Sequence, residues 1–238
     1  MAHTMILTGA SREHNLVAVA RTQTALEDLE KQYGARVKVL VADVSEPETA
    51  EKAVTLALDN FGSVDSVVAN AGILDPVDSI ENSDVSKWRI LFDINFFSVA
   101  QLVQAALPHL KKSNGKVVAV SSGASKNPYW GWAAYGASKA ALNHFISTLV
   151  EENSEISAIS VAPGVVATDM QKDIREKFGK NMPEQSLKKF VDLHKNGQLL
   201  PPEYPATVYT NLAVKGWAKE LNGKYYRVND EVLKQYAP

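Results

Sequence analysis

Short runs of valine, isoleucine and alanine alternate along the chain with longer stretches whose apolar residues recur at helical spacing. Runs such as VVAVS and ISVAP do not alternate between apolar and polar positions, which is typical of strands covered by helices on both faces. Strands are predicted at residues 4–8, 15–20, 37–42, 64–69, 116–121, 156–162 and 224–228. Helices are predicted at 22–33, 47–61, 84–112, 133–152 and 204–215, with a further pair within 169–196. This order predicts an α/β fold with a doubly wound, mostly parallel sheet and helices on both faces.

Composition and charge narrow the class of protein. A chain of 238 residues with 45% hydrophobic content can bury one sizeable core, so a single domain over residues 1–238 is predicted. The net charge of −2 gives no reason to expect a nucleic acid or an anionic membrane as a partner. No window approaches about eighteen apolar residues, and the amino terminus lacks a signal-peptide pattern, so no membrane span is predicted.

The chain contains no cysteine, which excludes disulfides and thiol nucleophiles and is compatible with a cytoplasmic location. Its five histidines are scattered and form no pair spaced like metal ligands. No metal site is therefore predicted.

One stretch, residues 115–152, combines a buried strand, a serine pair, a polar loop and a long helix. Tyr135 and Lys139 are four residues apart on this helix, so their side chains project from one face. Ser122 lies thirteen residues before Tyr135, at the carboxyl end of the strand. In open α/β sheets this is the edge at which ligands bind.

These three side chains suit the delivery of a proton to a carbonyl oxygen. A phenol with a pKa of about 10 is a poor acid at neutral pH unless its anion is stabilised, and a nearby ammonium group favours that anion. A serine hydroxyl can hydrogen-bond to the substrate oxygen and orient it. Taken alone, Tyr135 and Lys139 could be surface residues of an ordinary helix, but the spaced serine argues against that alternative.

The motif SS-x12-Y-x-x-S-K, with YGASK at 135–139, resembles the short-chain dehydrogenase/reductase family. The chain also carries TGASR at 8–12, ADV at 42–44, NAG at 70–72, IN at 94–95 and PGVVAT at 163–168. Within the family, GWAAYGASKAALNHF and LNGKYYRVND are most similar to sepiapterin reductase-like and benzil reductase-like carbonyl reductases, chiefly fungal ones. The resemblance implies a Rossmann-like fold and carbonyl reduction with a nicotinamide cofactor.

The resemblance also implies a role for each catalytic candidate. Tyr135 would donate the proton, Lys139 would lower the tyrosine pKa and hold the nicotinamide ribose, and Ser122 would orient the carbonyl group. Asn95 lies within a predicted helix, which is an unfavourable place for asparagine. In the family this residue holds a water that links the lysine to solvent, whereas Asn95 taken alone would be interpreted as a capped helix kink.

Residues near the first two strands favour NADPH as the cofactor. Gly9 follows the first strand, where a tight turn lets the backbone approach a phosphate, although one glycine is a weak signal. Arg21 ends the second strand, where NAD sites carry an acid and an arginine accommodates the 2′-phosphate of NADP. Arg12 would be a second cation in the family pattern. The alternative for Arg21 is a surface cation at the start of a helix.

Two later strands end in further cofactor candidates. In the family, the positions of Asp43 and Val44 seat the adenine, and those of Asn70, Ala71 and Gly72 line the cofactor. Asp43 could equally cap the next helix, and NAG could be an ordinary turn.

The sixth strand is followed by three more cofactor candidates. Pro163 stops the strand, the backbone at Val166 would contact the nicotinamide carboxamide, and the Thr168 hydroxyl would reach cofactor oxygens. The alternative is an ordinary Pro-Gly turn at the end of a strand.

Substrate contacts are expected from the loop before Tyr135 and from a lid. Tyr129, Trp130 and Trp132 could wall a pocket for a flat, conjugated dicarbonyl, or could pack the loop onto the core. Residues 169–200 are polar and predict a helical lid over a small-molecule carbonyl substrate. Asp230 resembles the position at which sepiapterin reductases hold the pterin, but a tail aspartate is more often exposed.

The first crossover departs from the family pattern. After Arg12 the sequence EHNLVAVART already has the pattern of the second strand, and only six residues, Ala10 to Asn15, lie between Gly9 and Leu16. Parallel neighbours need a crossover of about a dozen residues, usually a helix whose amino terminus binds phosphate. Its absence is expected to uncover apolar surface on one face of the sheet.

Three explanations of the short crossover remain open. In the first, the sequence lacks about 15–20 residues that are present in the natural protein, by analogy with the length of a typical βαβ unit. In the second, the chain is a truncated natural variant with weak cofactor binding. In the third, the first two strands form a hairpin. The first two are favoured.

The helices predicted at 84–112 and 133–152 carry more apolar residues than the one face that packs against the sheet requires. The excess comes from Trp88, Leu91, Phe92, Phe96, Val99, Leu102 and Val103. In the family these two helices form a dimer interface, so a homodimer is expected. A larger core is the alternative.

Together these features predict an NADPH-dependent reductase of a ketone or α-diketone. The principal alternative is a non-catalytic, dimeric relative with impaired cofactor binding. Another nucleotide-binding Rossmann protein, such as a methyltransferase, would have no use for the Y-x-x-x-K motif.

Overall fold

Seven parallel strands form one sheet in the computed structural model, which describes residues 4–7 and 14–238. The strands are β1 (Thr4–Leu7), β2 (Asn15–Ala20), β3 (Val37–Val41), β4 (Ser66–Ala69), β5 (Lys116–Val120), β6 (Ser157–Ala162) and β7 (Tyr225–Arg227). Their order across the sheet is β3-β2-β1-β4-β5-β6-β7. The order reverses between β1 and β4, and the carboxyl ends of strands at such a reversal form the ligand crevice of α/β sheets.

Eight α-helices connect or flank the described strands. They are α1 (Gln23–Tyr33), α2 (Pro47–Phe61), α3 (Val85–Phe92), α4 (Ser98–Ser113), α5 (Ala133–Glu152), α6 (Asp169–Glu176), α7 (Glu184–Lys195) and α8 (Glu203–Lys215). Short 3-10 turns lie at Gly34–Arg36, Gly123–Ser125, Phe178–Lys180, Lys219–Leu221 and Glu231–Tyr236. The predicted doubly wound fold is thus confirmed, and element boundaries differ from the predicted ones by one or two residues at most ends.

Helices cover the sheet on both faces. On one face, α2, α4 and α5 bury alanine, valine and leucine side chains against Ile6, Val67 and Val117. On the other face, α1 and α8 pack against Met5, Leu16 and neighbouring strand residues. Burial on both faces explains why the strands carry continuous apolar runs rather than alternating ones.

The first two strands lie side by side and parallel, with Thr4 opposite Asn15 and Ile6 opposite Val17. The hairpin alternative is therefore wrong, because a hairpin would make them antiparallel. Met5 and Leu16 face α1 and α8 and are each only 2% exposed, so the expected uncovered apolar surface is not found at these residues. The predicted phosphate-turn residues Gly9 and Arg12 lie outside the described residues.

The helix predicted at 84–112 is interrupted. Between α3 and α4, residues Asp93–Phe97 form a π-helical turn, which the helical spacing of apolar residues could not reveal. The segment Val85–Ser113 is long enough to cross a membrane and contains an 18-residue window with a mean hydropathy of 1.5. Leu91, Val103 and Leu110 are nevertheless fully buried against the rest of the protein. A helix of a protein core passes the same test, so this is weak evidence for a membrane span.

Candidate active site

The loop after β5 places Ser122 at the carboxyl edge of the sheet. Ser122 caps the 3-10 turn Gly123–Ser125, and its hydroxyl oxygen accepts a hydrogen bond from Ala124 N at 3.2 Å. A Cβ at Gly123 would lie 3.0 Å from Nη2 of Arg227, so a side chain there would require the arginine to shift. The loop therefore follows a tight path that presents the Ser122 hydroxyl towards α5.

Three polar side chains hold this loop against α5. The Ser121 hydroxyl donates to Oδ1 of Asn143 at 2.7 Å, and Nδ2 of Asn143 donates to the Ser125 hydroxyl at 2.8 Å. The Ser125 hydroxyl then donates to the backbone oxygen of Ser122 at 2.7 Å. This network was not predicted from the sequence. An asparagine inside a helix, eight residues after Tyr135, was the available signal.

Tyr135 and Lys139 lie on the face of α5 that packs towards the sheet. Their side chains are almost completely buried, with 7% and 3% of the residue surface exposed. Nζ of Lys139 donates to the backbone oxygen of Val120 at 2.8 Å and lies 6.0 Å from the centre of the Tyr135 ring. These contacts bring Ser122, Tyr135 and Lys139 together, as their spacing in the sequence predicts.

Burial perturbs the protonation of both groups. It raises the pKa of Tyr135, and a hydrogen bond with the Ser122 side chain partly opposes that rise. Burial also lowers the pKa of Lys139 from 10.5 to about 8. The net direction is upward because burial, which disfavours a phenolate, is the larger of these two effects, and the lowering of the tyrosine pKa by Lys139 stays a prediction.

Asn95 lies in the π-helical turn and is fully buried. Its amide makes two bonds to the backbone of Ile73: Ile73 N donates to Oδ1 at 2.8 Å, and Nδ2 donates to Ile73 O at 2.9 Å. Nδ2 also lies 3.3 Å from the hydroxyl oxygen of Ser138, which itself donates to Tyr135 O at 2.8 Å. Asn95 therefore connects the segment after β4 to the catalytic helix, and Ser138 is a second residue that the sequence analysis missed.

Gly72 lies beside the side chains of both Asn95 and Lys139. A Cβ at Gly72 would lie 3.2 Å from Oδ1 of Asn95 and 3.5 Å from Nζ of Lys139. Asn70 and Ala71 precede it at the end of β4, where Asn70 is exposed and Ala71 half-buried. The NAG segment thus approaches the lysine closely with its backbone.

Arg21 and Asp43 lie together at the ends of β2 and β3. Nη1 of Arg21 is 3.6 Å from Oδ2 of Asp43, and the arginine side chain is 68% exposed. Hydrogen bonds from the backbone and hydroxyl of Ser45 lower the pKa of Asp43, with a smaller contribution from Arg21. Asp43 is not a helix cap, because Glu46 occupies the N-cap position of α2.

Val44 follows Asp43 and is half-buried against α2 and α4. Together with Ala71 it lines a cavity of about 20 Å³. Its side chain therefore contributes to packing, and its backbone remains the part available to a ligand at this corner.

The segment after β6 forms one end of the lid. Pro163 is followed by Gly164, whose φ of +81° favours glycine. Val166 pairs with Leu200 in an isolated parallel bridge, so the two ends of the lid are joined. Thr168 is exposed at the start of α6, and its backbone N donates to Val166 O at 2.9 Å. Pro163, Val166 and Thr168 thus lie at the carboxyl edge of the sheet next to β5.

The lid consists of α6, a 3-10 turn and α7, and it packs onto the catalytic helix. Ile174, Phe178, Met182 and Phe190 form one buried cluster with Trp132 and Tyr135. The Phe190 ring stacks on Trp132 at 5.3 Å between centroids, and Tyr129 stacks on Trp132 at 4.9 Å. Phe190 was not predicted, because the lid sequence shows only a polar helical pattern.

Asp230 has a local role in the structure. Its Oδ2 accepts a hydrogen bond from Arg227 N at 2.8 Å and so closes the turn after β7. Among the residues that the structure describes, no group of three or more histidine or acidic side chains is arranged to hold a metal ion.

The described residues fit a dinucleotide laid along the carboxyl edge of the sheet. Arg21 and Asp43 offer a charged corner at one end, and the Gly72 backbone lies beside Lys139 in the middle. The nicotinamide end would meet the strand-ending segment with Val166 and Thr168. An exposed cation at the end of β2 suits a phosphate group.

Because Lys139 is buried without a carboxylate partner among the described residues, it is expected to oppose folding while it is charged. Its pKa of about 8 lies below the unfolded value of 10.5, so this cost is fully present below pH 8. The cost disappears as the pH rises from about 8 towards 10.5. We predict that Lys139→Met raises the free energy of unfolding at pH 7 by up to about 3 kcal/mol, measured by urea denaturation.

The gain in stability should shrink when the same measurement is made at pH 10. Lys87→Met, which changes an exposed lysine, serves as the control and should have little effect at either pH. A Lys139→Met protein that is less stable than the parent at both pH values would contradict the prediction.

Comparisons with known proteins agree with this geometry. A benzil reductase ((S)-benzoin forming) of Saccharomyces cerevisiae is 43% identical, and the alignment covers 98% of each chain. That alignment spans 258 positions, more than the 238 residues of this chain, so the relative has residues that this chain lacks.

Two solved structures from Saccharomyces cerevisiae are similar as well. A short chain dehydrogenase/reductase superposes with a TM-score of 0.97 at 42% identity, over 99% of this chain and 100% of that one. A protein described as cytoplasmic and of unknown function superposes with a TM-score of 0.82 at 42% identity, again over 99% and 100%. The family model for the short chain dehydrogenases matches residues 1–179. The chain therefore belongs to the short-chain dehydrogenase/reductase family of oxidoreductases.

Proposed function

We propose that this oxidoreductase uses NADPH to reduce a ketone or α-diketone, with Tyr135 as the proton donor. The observation that carries the proposal is the buried group of Ser122, Tyr135 and Lys139 at the carboxyl edge of the sheet. Members of the family use a nicotinamide cofactor. The name of the benzil reductase relative supports a carbonyl compound as the substrate.

When bound, the nicotinamide supplies a hydride to the carbonyl carbon. The Ser122 hydroxyl orients the carbonyl oxygen towards Tyr135. Burial keeps the phenol of Tyr135 protonated, so that it gives up its proton only to the strongly basic oxygen that forms during reduction. The products are an alcohol and the oxidised cofactor.

Lys139 acts on the state that follows proton transfer. Its ammonium group lies beside the Tyr135 ring and stabilises the phenolate that remains. Because its pKa is about 8, Lys139 is also able to pass a proton back to the tyrosine near neutral pH. We assign Asn95 to the water relay that returns this proton. Its buried amide supports this, because Nδ2 lies 3.3 Å from the hydroxyl oxygen of Ser138, on the helix that carries Tyr135 and Lys139.

The described edge of the sheet supports the assignment of the other cofactor residues. Arg21 would bind the 2′-phosphate, which favours NADPH over NADH. Asp43 and Val44 would seat the adenine, and the segment Asn70–Gly72 would line the central part. Val166 and Thr168, after Pro163, would bind the nicotinamide amide, and the segment 169–200 would close over the substrate.

We further propose that the protein is a cytoplasmic homodimer. Val85, Ile90 and Phe97 on α3 and the adjoining π-helical turn are 61%, 56% and 50% exposed, although all three are large and apolar. Such side chains on one helical segment favour a protein partner, and a second copy agrees with the family resemblance. The solved relative described as a cytoplasmic protein supports the location.

Replacing Tyr135 with phenylalanine should lower kcat for benzil reduction by about 10²–10⁴-fold, because the proton donor is lost while the ring remains. The measurement is NADPH oxidation followed by absorbance. Tyr33→Phe on α1 serves as the control and should retain full activity. Unchanged turnover in the Tyr135→Phe protein would refute the mechanism.

Cofactor preference is tested by titrating the protein with NADPH and NADH and following nicotinamide fluorescence. NADPH should bind more tightly, and Arg21→Ala should weaken NADPH binding about tenfold while changing NADH binding little. Arg36→Ala changes an exposed arginine at the opposite end of β3 and is the matched control. If the folded protein binds neither nucleotide, the non-catalytic alternative replaces this proposal.

The dimer is tested by size-exclusion chromatography with light scattering. The wild-type protein should have twice the chain mass of 25.9 kDa, and Phe97→Glu should shift it towards the monomer. Val232→Glu changes another exposed apolar residue, outside α3 and α4, and should leave the dimer intact. A monomeric wild-type protein would remove this part of the proposal.

A further inference from the structure

Trp132 lies where the loop after β5, the lid and the proton donor meet. Its ring stacks on Tyr129 at an interplanar angle of 29° and on Phe190 of α7 at 27°. The same ring meets the edge of Tyr135 at 5.8 Å and 88°. Trp132 is therefore in contact with the proposed proton donor.

The indole N–H of Trp132 has no hydrogen-bond acceptor in the part of the chain that the structure describes. The residue is only 7% exposed, and its indole nitrogen has almost no contact with bulk solvent. By contrast, the indole N–H of Trp88 donates to the Ser83 hydroxyl at 2.7 Å, and that of Trp217 donates to Oδ1 of Asn222 at 3.3 Å. A buried donor without a partner is rare in folded proteins, and such a donor is available to an acceptor atom of a ligand.

Two other buried donors beside Tyr135 already have partners. Nζ of Lys139 is bonded to Val120 O, and the Ser122 hydroxyl interacts with Tyr135 itself. The hydroxyl of Tyr209 on α8 also lacks a partner, and Tyr209 is close enough to Tyr135 for the two groups to interact electrostatically, but its side chain packs in the cluster on the opposite face of the sheet. Trp132 is thus the unused donor in direct contact with the Tyr135 ring.

A vicinal dicarbonyl compound has an acceptor at the required place. When one of its oxygens bonds to Ser122 and Tyr135, the second oxygen is attached to the neighbouring carbon. A simple ketone has carbon and hydrogen there and would leave the indole N–H unpaired. Sites with a buried polar group discriminate against ligands that fail to pair with it.

We propose that Trp132 is a specificity-determining residue whose Nε1–H binds the second oxygen of a vicinal dicarbonyl substrate. The inference rests on the proposed carbonyl reductase activity and names its substrate class. The Tyr129 and Phe190 rings contact the same indole and would pack against a flat substituent on that substrate.

One competing explanation lies within the protein. Oε1 of Gln171 on α6 is also buried without a donor, and its Nε2 donates to Phe190 O at 3.2 Å. If the indole N–H served only to bond this lid residue in another arrangement of the side chains, it would stabilise lid closure over every ketone alike. The experiment must therefore compare substrates that differ only in the second oxygen.

The test compares 1-phenyl-1,2-propanedione with propiophenone and phenylacetone, which each lack one of its two oxygens. Trp132→Phe keeps an aromatic ring and removes the N–H. It should lower kcat/KM about tenfold for the diketone and less than twofold for the two monoketones. Trp217→Phe and Tyr209→Phe are the controls, and neither should change the ratio between diketone and monoketones.

A second measurement does not depend on turnover. In protein carrying ¹⁵N-labelled tryptophan, the indole N–H resonance of Trp132, assigned by its loss in Trp132→Phe, should shift downfield when the diketone binds. The monoketones at equal occupancy should leave the resonance near its free position. This readout keeps the inference testable even if the wild-type protein reduces none of the three compounds, an outcome that would refute the proposed activity.

Three outcomes would overturn the inference. Equal losses for all three ketones in Trp132→Phe would assign the residue to ring packing or lid closure. An undiminished kcat/KM for the diketone would remove Trp132 from specificity. A selective loss in Tyr209→Phe, with none in Trp132→Phe, would move the role to the other unpartnered donor.

Discussion

The burial of one lysine constrains the rest of this molecule. Lys139 is held beneath the carboxyl edge of the sheet by a hydrogen bond to the backbone of β5, with almost no exposure to water. A charged group in such a place costs folding free energy, so the surrounding elements must supply that energy through apolar burial. The layers on both faces of the sheet do so, and the glycine of the NAG segment leaves room for the ammonium group.

Much of this arrangement follows from the sequence because it depends on local spacing. Tyr135 and Lys139 share a helix face by virtue of their separation, and the continuous apolar runs identify strands that helices cover on both faces. The structure places the loop aromatics Tyr129 and Trp132 in the cluster that contains Tyr135, and their role as walls of a substrate pocket stays a prediction. These features require only the geometry of a helix or a strand.

Other parts depend on contacts between distant segments, which spacing does not reveal. The π-helical turn at Asn95 is stabilised by bonds to Ile73, a residue of another element. The bonds of Asn143 to Ser121 and Ser125 and the stacking of Phe190 on Trp132 likewise join segments far apart in the chain. The direction of the tyrosine pKa shift could not be predicted either, since it is the balance between burial and a charge whose position the fold decides.

The bridge between Val166 and Leu200 has a consequence for how such a protein can diversify. Because the two ends of the lid are paired with each other, the residues between them form a long loop that leaves the sheet and returns to the same place. The entropic cost of closing such a loop changes slowly with its length, so this segment can be lengthened, shortened or replaced with little strain on β6 or α8. The catalytic residues lie outside it. Substrate range can therefore change in this fold by exchange of one self-contained segment while the chemistry is inherited intact.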